Sequence, residues 1–289
     1  MNQRSVFLSG VLGFTAATGG CSVLIDADTK QCEVTSDCTA RGAAFEGAVC
    51  EKNLCVIKGV DPVGGAGAGG GGGADNPLEC EAPEPNDQTT VKFSFAPTFA
   101  VPPDEPQPFV VKACRSLDPD CEAPVYGPVE VEALEVHDFE VPKNFDGFFE
   151  IENPDTRTAL YYMGRALVED TTGWNVTVPS EQTILALGAA AKRDVDLELG
   201  VLIAMARDCQ LQPLAGVELQ SSVDALRFYF YQTIPYTDET VTGPQGVVGF
   251  ANAPIGAVKL SATAANGTEL TPVLVRLKSG YVTFTEVFP

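Results

Sequence analysis

The sequence predicts a mainly β protein: two tandem antiparallel β-sandwich units with one short helix, preceded by a small disulfide-rich module. Three observations carry this. From residue 89 onward, short stretches alternate apolar and polar side chains between Gly, Pro and Asn turns, as half-buried strands do. Four cysteines crowd into residues 32–55. Between these regions lies a glycine-rich run that no packed element tolerates.

The N-terminus reads as an export signal over residues 1–20. Arg4 supplies the charge, Val6 to Thr18 an apolar segment too short to span a bilayer, and Gly19-Gly20 the small residues before a cut. Cys21 follows directly and resembles the lipidated cysteine of a bacterial lipobox, with Thr18 where leucine is usual. The expectation is an exported chain held in the bilayer by an acylated Cys21, at the outer membrane or cell surface. Ordinary signal-peptidase cleavage near Gly20 is the competing outcome.

Cysteine arithmetic agrees with export. Setting Cys21 aside, Cys32, Cys38, Cys50, Cys55, Cys80, Cys114, Cys121 and Cys209 make an even set suited to an oxidising compartment. In the module at 21–58, the gaps between Cys32, Cys38, Cys50 and Cys55 do not match a structural zinc site, and no histidine is near. Two disulfides are expected there, with connectivity open. Cys114 and Cys121 flank a Leu-Asp-Pro-Asp turn and read as a loop staple, leaving Cys80 to Cys209. The crossed pairing of these four remains open.

Residues 59–88 form a linker. Gly65, Gly67 and Gly70 match the G-x-G-x-x-G of a dinucleotide cradle, which requires a strand before it and a helix beginning within it. Pro62 stands where the strand would be, and three more glycines and Pro77 where the helix would run. The stretch Val63 to Asp75 is therefore a tether.

Residues 89–198 form the first sandwich unit. Val91, Phe93 and Phe95 alternate, as do Val129, Val131 and Ala133, while Phe109 to Cys114 is an apolar run. Ser180 to Ala191 opens on an N-cap residue followed by good helix formers, so a helix is expected near 180–191. Residues 199–289 form the second unit. Gly200 to Ala206 is apolar without alternation, as in a strand covered on both faces. Leu226, Phe228 and Phe230 face one way while Arg227, Tyr229 and Tyr231 face the other; Val258, Leu260 and Ala262, then Val273, Val275 and Leu277, alternate again.

Within this second unit three segments carry a resemblance: Ala215 to Leu219, Thr242 to Phe250 and Asn252 to Leu260. Together they resemble the carboxypeptidase regulatory-like domains over roughly residues 200–289. That resemblance implies a transthyretin-like β-sandwich without catalytic residues. Residues 109–151 read as a diverged earlier copy, Phe109–Cys114 aligning with Gly216–Gln220 and Asp146–Ile151 with Gly256–Leu260. The order of lipobox, Cys-rich stretch, tether and β-domains also resembles surface lipoproteins of myxobacterial type.

Catalytic chemistry finds little support. His137, the single histidine, sits in a strand-like setting, and neither G-x-S-x-G nor H-E-x-x-H occurs. No cofactor and no metal site is expected; Asp118 with Asp120, and Asp26 with Asp28, read as solvated turns rather than calcium loops. A net charge of −21 disfavours nucleic acid as a partner. Tyr229, Tyr231 and Tyr236 are the candidate ligand contacts, suited to stacking on a polysaccharide or peptide if exposed. The expected function is a non-catalytic, lipid-anchored envelope protein that binds or scaffolds. A carbohydrate- or peptide-binding accessory protein is the alternative, followed by a carboxylate-based hydrolase.

Overall fold

The computed structural model describes residues 34–36, 48–51, 54–57, 77–80, 88–231 and 234–289, with backbone alone for 48–51, 54–57, 231 and 234. Residues 1–33 and 58–76, where the export signal, Cys21, Cys32 and the tether are expected, and Cys38 lie outside the described residues. In the Cys-rich module, β1 (Ala48–Glu51) and β2 (Leu54–Ile57) form an antiparallel ladder in which Cys50 stands opposite Cys55.

The rest is mainly β. The alternating segments of the first half become β3 (Thr90–Phe95), β4 (Pro97–Phe99), β5 (Phe109–Arg115), β6 (Tyr126–Val131), β7 (His137–Pro142), β8 (Gly147–Glu152) and β9 (Thr158–Tyr162). The short β10 (Thr171–Thr172) and β11 (Val176–Val178) lead to helix α1 (Glu181–Ala190). Ser180 caps α1 as its sequence predicts, its hydroxyl accepting the Thr183 N–H. The second half contributes β12 (Gly200–Ala206), β13 (Glu218–Ser221), β14 (Leu226–Tyr231), β15 (Ile234–Tyr236), β16 (Val247–Ala253), β17 (Gly256–Thr263), β18 (Val273–Leu277) and β19 (Tyr281–Val287).

Strand pairing runs the same way twice. In the first half β3 pairs antiparallel with β7 and parallel with β10, while β5 pairs with β8 and β8 with β9. In the second half β12 pairs antiparallel with β16 and parallel with β19, while β13 pairs with β17 and β17 with β18. This places β5 over β13 and β8 over β17, the two correspondences that the sequence comparison drew between residues 109–151 and the C-terminal half.

The two sandwiches are fused rather than merely strung together. β9 pairs parallel with β19 over Thr158–Tyr162 and Tyr281–Thr285, giving one nine-stranded sheet in the order β15-β14-β16-β12-β19-β9-β8-β5-β6. The sheet β10-β3-β7 and helix α1 cover one face; β13-β17-β18 covers the other. On the first face Phe93, Phe95, Phe139, Phe149 and Tyr161 interlock with ring centroids 4.7–5.8 Å apart, and this core continues under α1 to Val201 and Phe284. On the second, Leu219, Val258, Leu260 and Val275 meet Leu202, Val248 and Phe250, and the core reaches Phe148 and Leu160 of the first half. Each core crosses the junction.

The expected antiparallel pairing therefore needs one correction: β10·β3, β11·β4, β12·β19 and β19·β9 are parallel. Hairpins force antiparallel neighbours, but these pairs join strands distant along the chain, where no tight turn dictates direction. The unbroken apolar run of β12 fits its place, since a strand buried on both faces has no solvent side to mark with polar residues.

Candidate functional site

Of the three tyrosines singled out as candidate ligand contacts, Tyr229 is a core residue, 1% exposed. The three-stranded sheet covers the face of β14 that sequence alternation leaves free. The Tyr229 hydroxyl accepts the Leu219 N–H at 3.2 Å, and Arg227 donates to the Leu219 carbonyl at 2.9 Å, so β14 caps the outer edge of β13. Burial raises the Tyr229 phenol above its usual value. Tyr236 is its cross-strand partner and is half-buried; the Tyr231 side chain lies outside the described residues. At the other edge of that sheet, the Thr283 hydroxyl donates to the Arg276 carbonyl at 3.1 Å. Thr242 latches the entries to β13 and β16, accepting the Val217 N–H and donating to the Leu214 carbonyl.

The remaining sequence candidates are absorbed by the fold. His137 opens β7, its ring 4.8 Å from that of Phe139 and its Nε2 3.3 Å from the Tyr126 hydroxyl. Cys114 is bonded to Cys121 and Cys80 to Cys209. Asp118 accepts the N–H groups of Ala123 and Glu122, which hold its carboxyl below the usual range, and Asp120 pairs with Lys278 at 3.1 Å. No group of three or more metal-ligating side chains occurs among the described residues.

Two polar constellations were not legible beforehand. On the face of β5 and β8 turned away from the first aromatic core, register places Lys112 opposite Glu150. The Lys112 ammonium reaches Glu150 at 2.7 Å and Glu152 at 2.8 Å. Burial raises the Glu150 carboxyl, whereas hydrogen bonds from Glu150 and then Lys112 lower that of Glu152. Burial of Lys112 opposes its charge, yet its bonds to both carboxylates outweigh this and raise its pKa. One ammonium thus ties both carboxylates together on this face.

The second constellation lies at the junction. Arg207, at the end of β12, donates from Nε to the Glu286 carboxylate of β19 at 2.8 Å and from Nη1 to the Leu211 carbonyl. The Tyr161 hydroxyl of β9 donates to the same Glu286 oxygen at 3.1 Å and accepts the Trp174 N–H. All three side chains are buried. Burial, opposed by the nearby guanidinium, raises the Glu286 carboxyl; burial and then the Glu286 charge push the Tyr161 phenol well up. Gly164, at φ +73°, passes so close that a Cβ would meet the Glu286 carbonyl. Here the sheets of the two halves join.

At the surface, an open hollow of about 320 Å³ lies against β3, lined by Gln88, Thr89, Thr90, Lys92, Glu140 and Asp170. Among the described residues no helix is long and apolar enough to cross a membrane.

No family model matches the chain, and no curated protein matches it. Among solved structures, a streptococcal ancillary pilin matches at 12% identity and a TM-score of 0.22, over 69% of each chain. The shaft pilin SpaA from Lactobacillus rhamnosus GG matches at 8% identity and a TM-score of 0.22, over 70% of this chain and 97% of that one. The TIE protein of Bacillus anthracis matches at 12% identity and a TM-score of 0.21; the match covers 68% of this chain and only 33% of that one. Likeness at this level assigns no role to this chain.

Proposed function

We propose that this chain is a non-catalytic, lipid-anchored envelope protein whose fused sandwiches serve as a stiff scaffold held off the bilayer. One observation carries the scaffold reading: a single nine-stranded sheet runs through both units with a core on each face. Flexibly tethered domains present separate surfaces; a shared sheet fixes their relative orientation. The anchor part of the reading rests on Cys21 following Gly19-Gly20. The glycine-rich stretch at 63–75 supplies reach between anchor and scaffold.

Two measurements test this. Mass spectrometry of the mature protein should find diacylglycerol on Cys21; a free amine at Ser22 or beyond removes the anchor. Spin labels placed one on each sandwich should give a narrow distance distribution, and a broad one removes the scaffold. A second reading, an accessory protein for polysaccharide or peptide, draws on the open hollow beside Thr90, Lys92 and Asp170. Retention on cell-wall polysaccharide, weakened by Lys92→Ala, would favour it.

A further inference from the structure

Arg157 lies just before β9 and is 7% exposed. Its Nε donates to the Gly280 carbonyl at 2.9 Å and its Nη2 to the Leu197 carbonyl at 2.9 Å. Its backbone N–H binds the Pro179 carbonyl at 3.1 Å, which sets the residue against the start of α1. Nη1 is buried and has no hydrogen-bond partner, and neither has the buried hydroxyl of the adjacent Thr156. A guanidinium N–H left without a hydrogen-bond partner in the interior is costly, and such a group in a native fold calls for an explanation such as a bound water or ion.

The nearby carboxylate does not resolve this. Glu181 Oε1 is 4.0 Å from Nη1, beyond hydrogen-bonding distance, and the Glu181 side chain is 66% exposed. Glu181 is the first residue of a ten-residue helix, so its own N–H and that of Gln182 lack intrahelical acceptors and carry the positive end of the helix dipole. A buried cationic donor without a hydrogen-bond partner therefore lies beside the first residue of a helix.

The geometry points to a seat for a single carboxylate formed by Arg157 and the first turn of α1, with Glu181 at its rim as a competing charge. Hydrogen-bonding capacity sets the class: one guanidinium N–H group and two amides match a planar two-oxygen anion. Charge sets the limit. Residues 89–198 carry 20 Asp and Glu against 8 Lys and Arg, so an approaching polyanion is repelled more strongly than a monoanion. The carboxylate of a uronic sugar and that of a peptide C-terminus present the same group. This inference is independent of the scaffold reading.

The test is a titration of the full chain with acetate, read by the amide resonances of residues 181 and 182, against chloride at equal ionic strength. Glucuronate and N-acetylglycine serve as parallel arms for the two sources. Saturable shifts are expected with acetate and at least one arm, and none with chloride. Glu181→Gln removes a like charge a few ångströms from the bound anion and should tighten binding about fivefold. Arg157→Lys should weaken it, and if that variant does not fold, Glu181→Gln still decides. Linear shifts without saturation, equal shifts with chloride, or a Glu181→Gln midpoint unchanged from wild type would overturn the proposal.

Discussion

Replacing Glu286 by alanine removes the carboxylate that Arg207 and Tyr161 share at the junction of the two halves. Arg207 is 8% exposed and would keep its contact to the Leu211 carbonyl but lose its 2.8 Å ion pair. Breaking a buried pair by removing one partner costs about 3–5 kcal/mol, because the remaining charge is stranded. The Tyr161 hydroxyl also loses its acceptor, nominally a further 1–3 kcal/mol. Groups in one network do not add, so the expected total stays near 3–5 kcal/mol. That is a large share of the roughly 5–15 kcal/mol by which a domain is stable. Urea unfolding with the disulfides intact reads this as a lowered midpoint at unchanged slope. The paired replacement Arg207→Met with Glu286→Leu removes both charges and should recover most of the loss. Hydrogen exchange should quicken first at β9 and β19, the strands the network joins. A loss below about 1 kcal/mol for Glu286→Ala would refute the reasoning, as would a double variant no more stable than the single one.

Other expectations follow from the same structure. Burial raises the Glu286 carboxyl above 4.5, so the fold holds this proton more tightly than the unfolded chain does. The stability from this group is complete below pH 4.5 and is lost as pH rises through the folded value; Glu286→Gln should flatten that slope in acid-range unfolding, and an unchanged slope would count against it. Burial likewise raises the phenols of Tyr161, Tyr229 and Tyr281, and that of Tyr162 to about 12, from 10.0. Four of the seven tyrosines should therefore resist ionisation in native absorbance titration, with stability falling as pH climbs from 10 towards 12; seven phenols titrating together near 10 would contradict the buried placement. The Cys80–Cys209 bond closes 129 residues and the Cys114–Cys121 bond seven, so paired serine substitutions should cost roughly 5 and 2 kcal/mol respectively in the chain-entropy account. A reversed order in thermal unfolding would argue against that account. Lys112→Met leaves Glu150 without its ammonium on a half-covered face and should cost about 1–2 kcal/mol, between exposed and buried pairs; added salt should erase little of it.

The sequence by itself determined the elements. Period-2 alternation marks β3, β17 and β18, because a strand with one solvated face must be polar at every second position. The Ser180 cap marks α1, and the doubly apolar run of β12 marks a strand covered on both sides. Seven-residue spacing across a Pro-containing turn pointed to the Cys114–Cys121 staple and left Cys80 to Cys209. Only the tertiary structure decided which edge meets which edge and what covers each face. Alternation told that Tyr229 and Phe228 point oppositely, but not that a second sheet buries Tyr229. It could not set Lys112 opposite Glu150, since cross-strand register depends on the partner strand as much as on its own. Nor could it foresee that β9 and β19, 123 residues apart by their first residues Thr158 and Tyr281, would pair in parallel and place Arg207 and Tyr161 on one buried Glu286 oxygen. Local pattern follows from each residue's own contact with water or core; assembly follows from contacts between distant segments, which no single segment encodes.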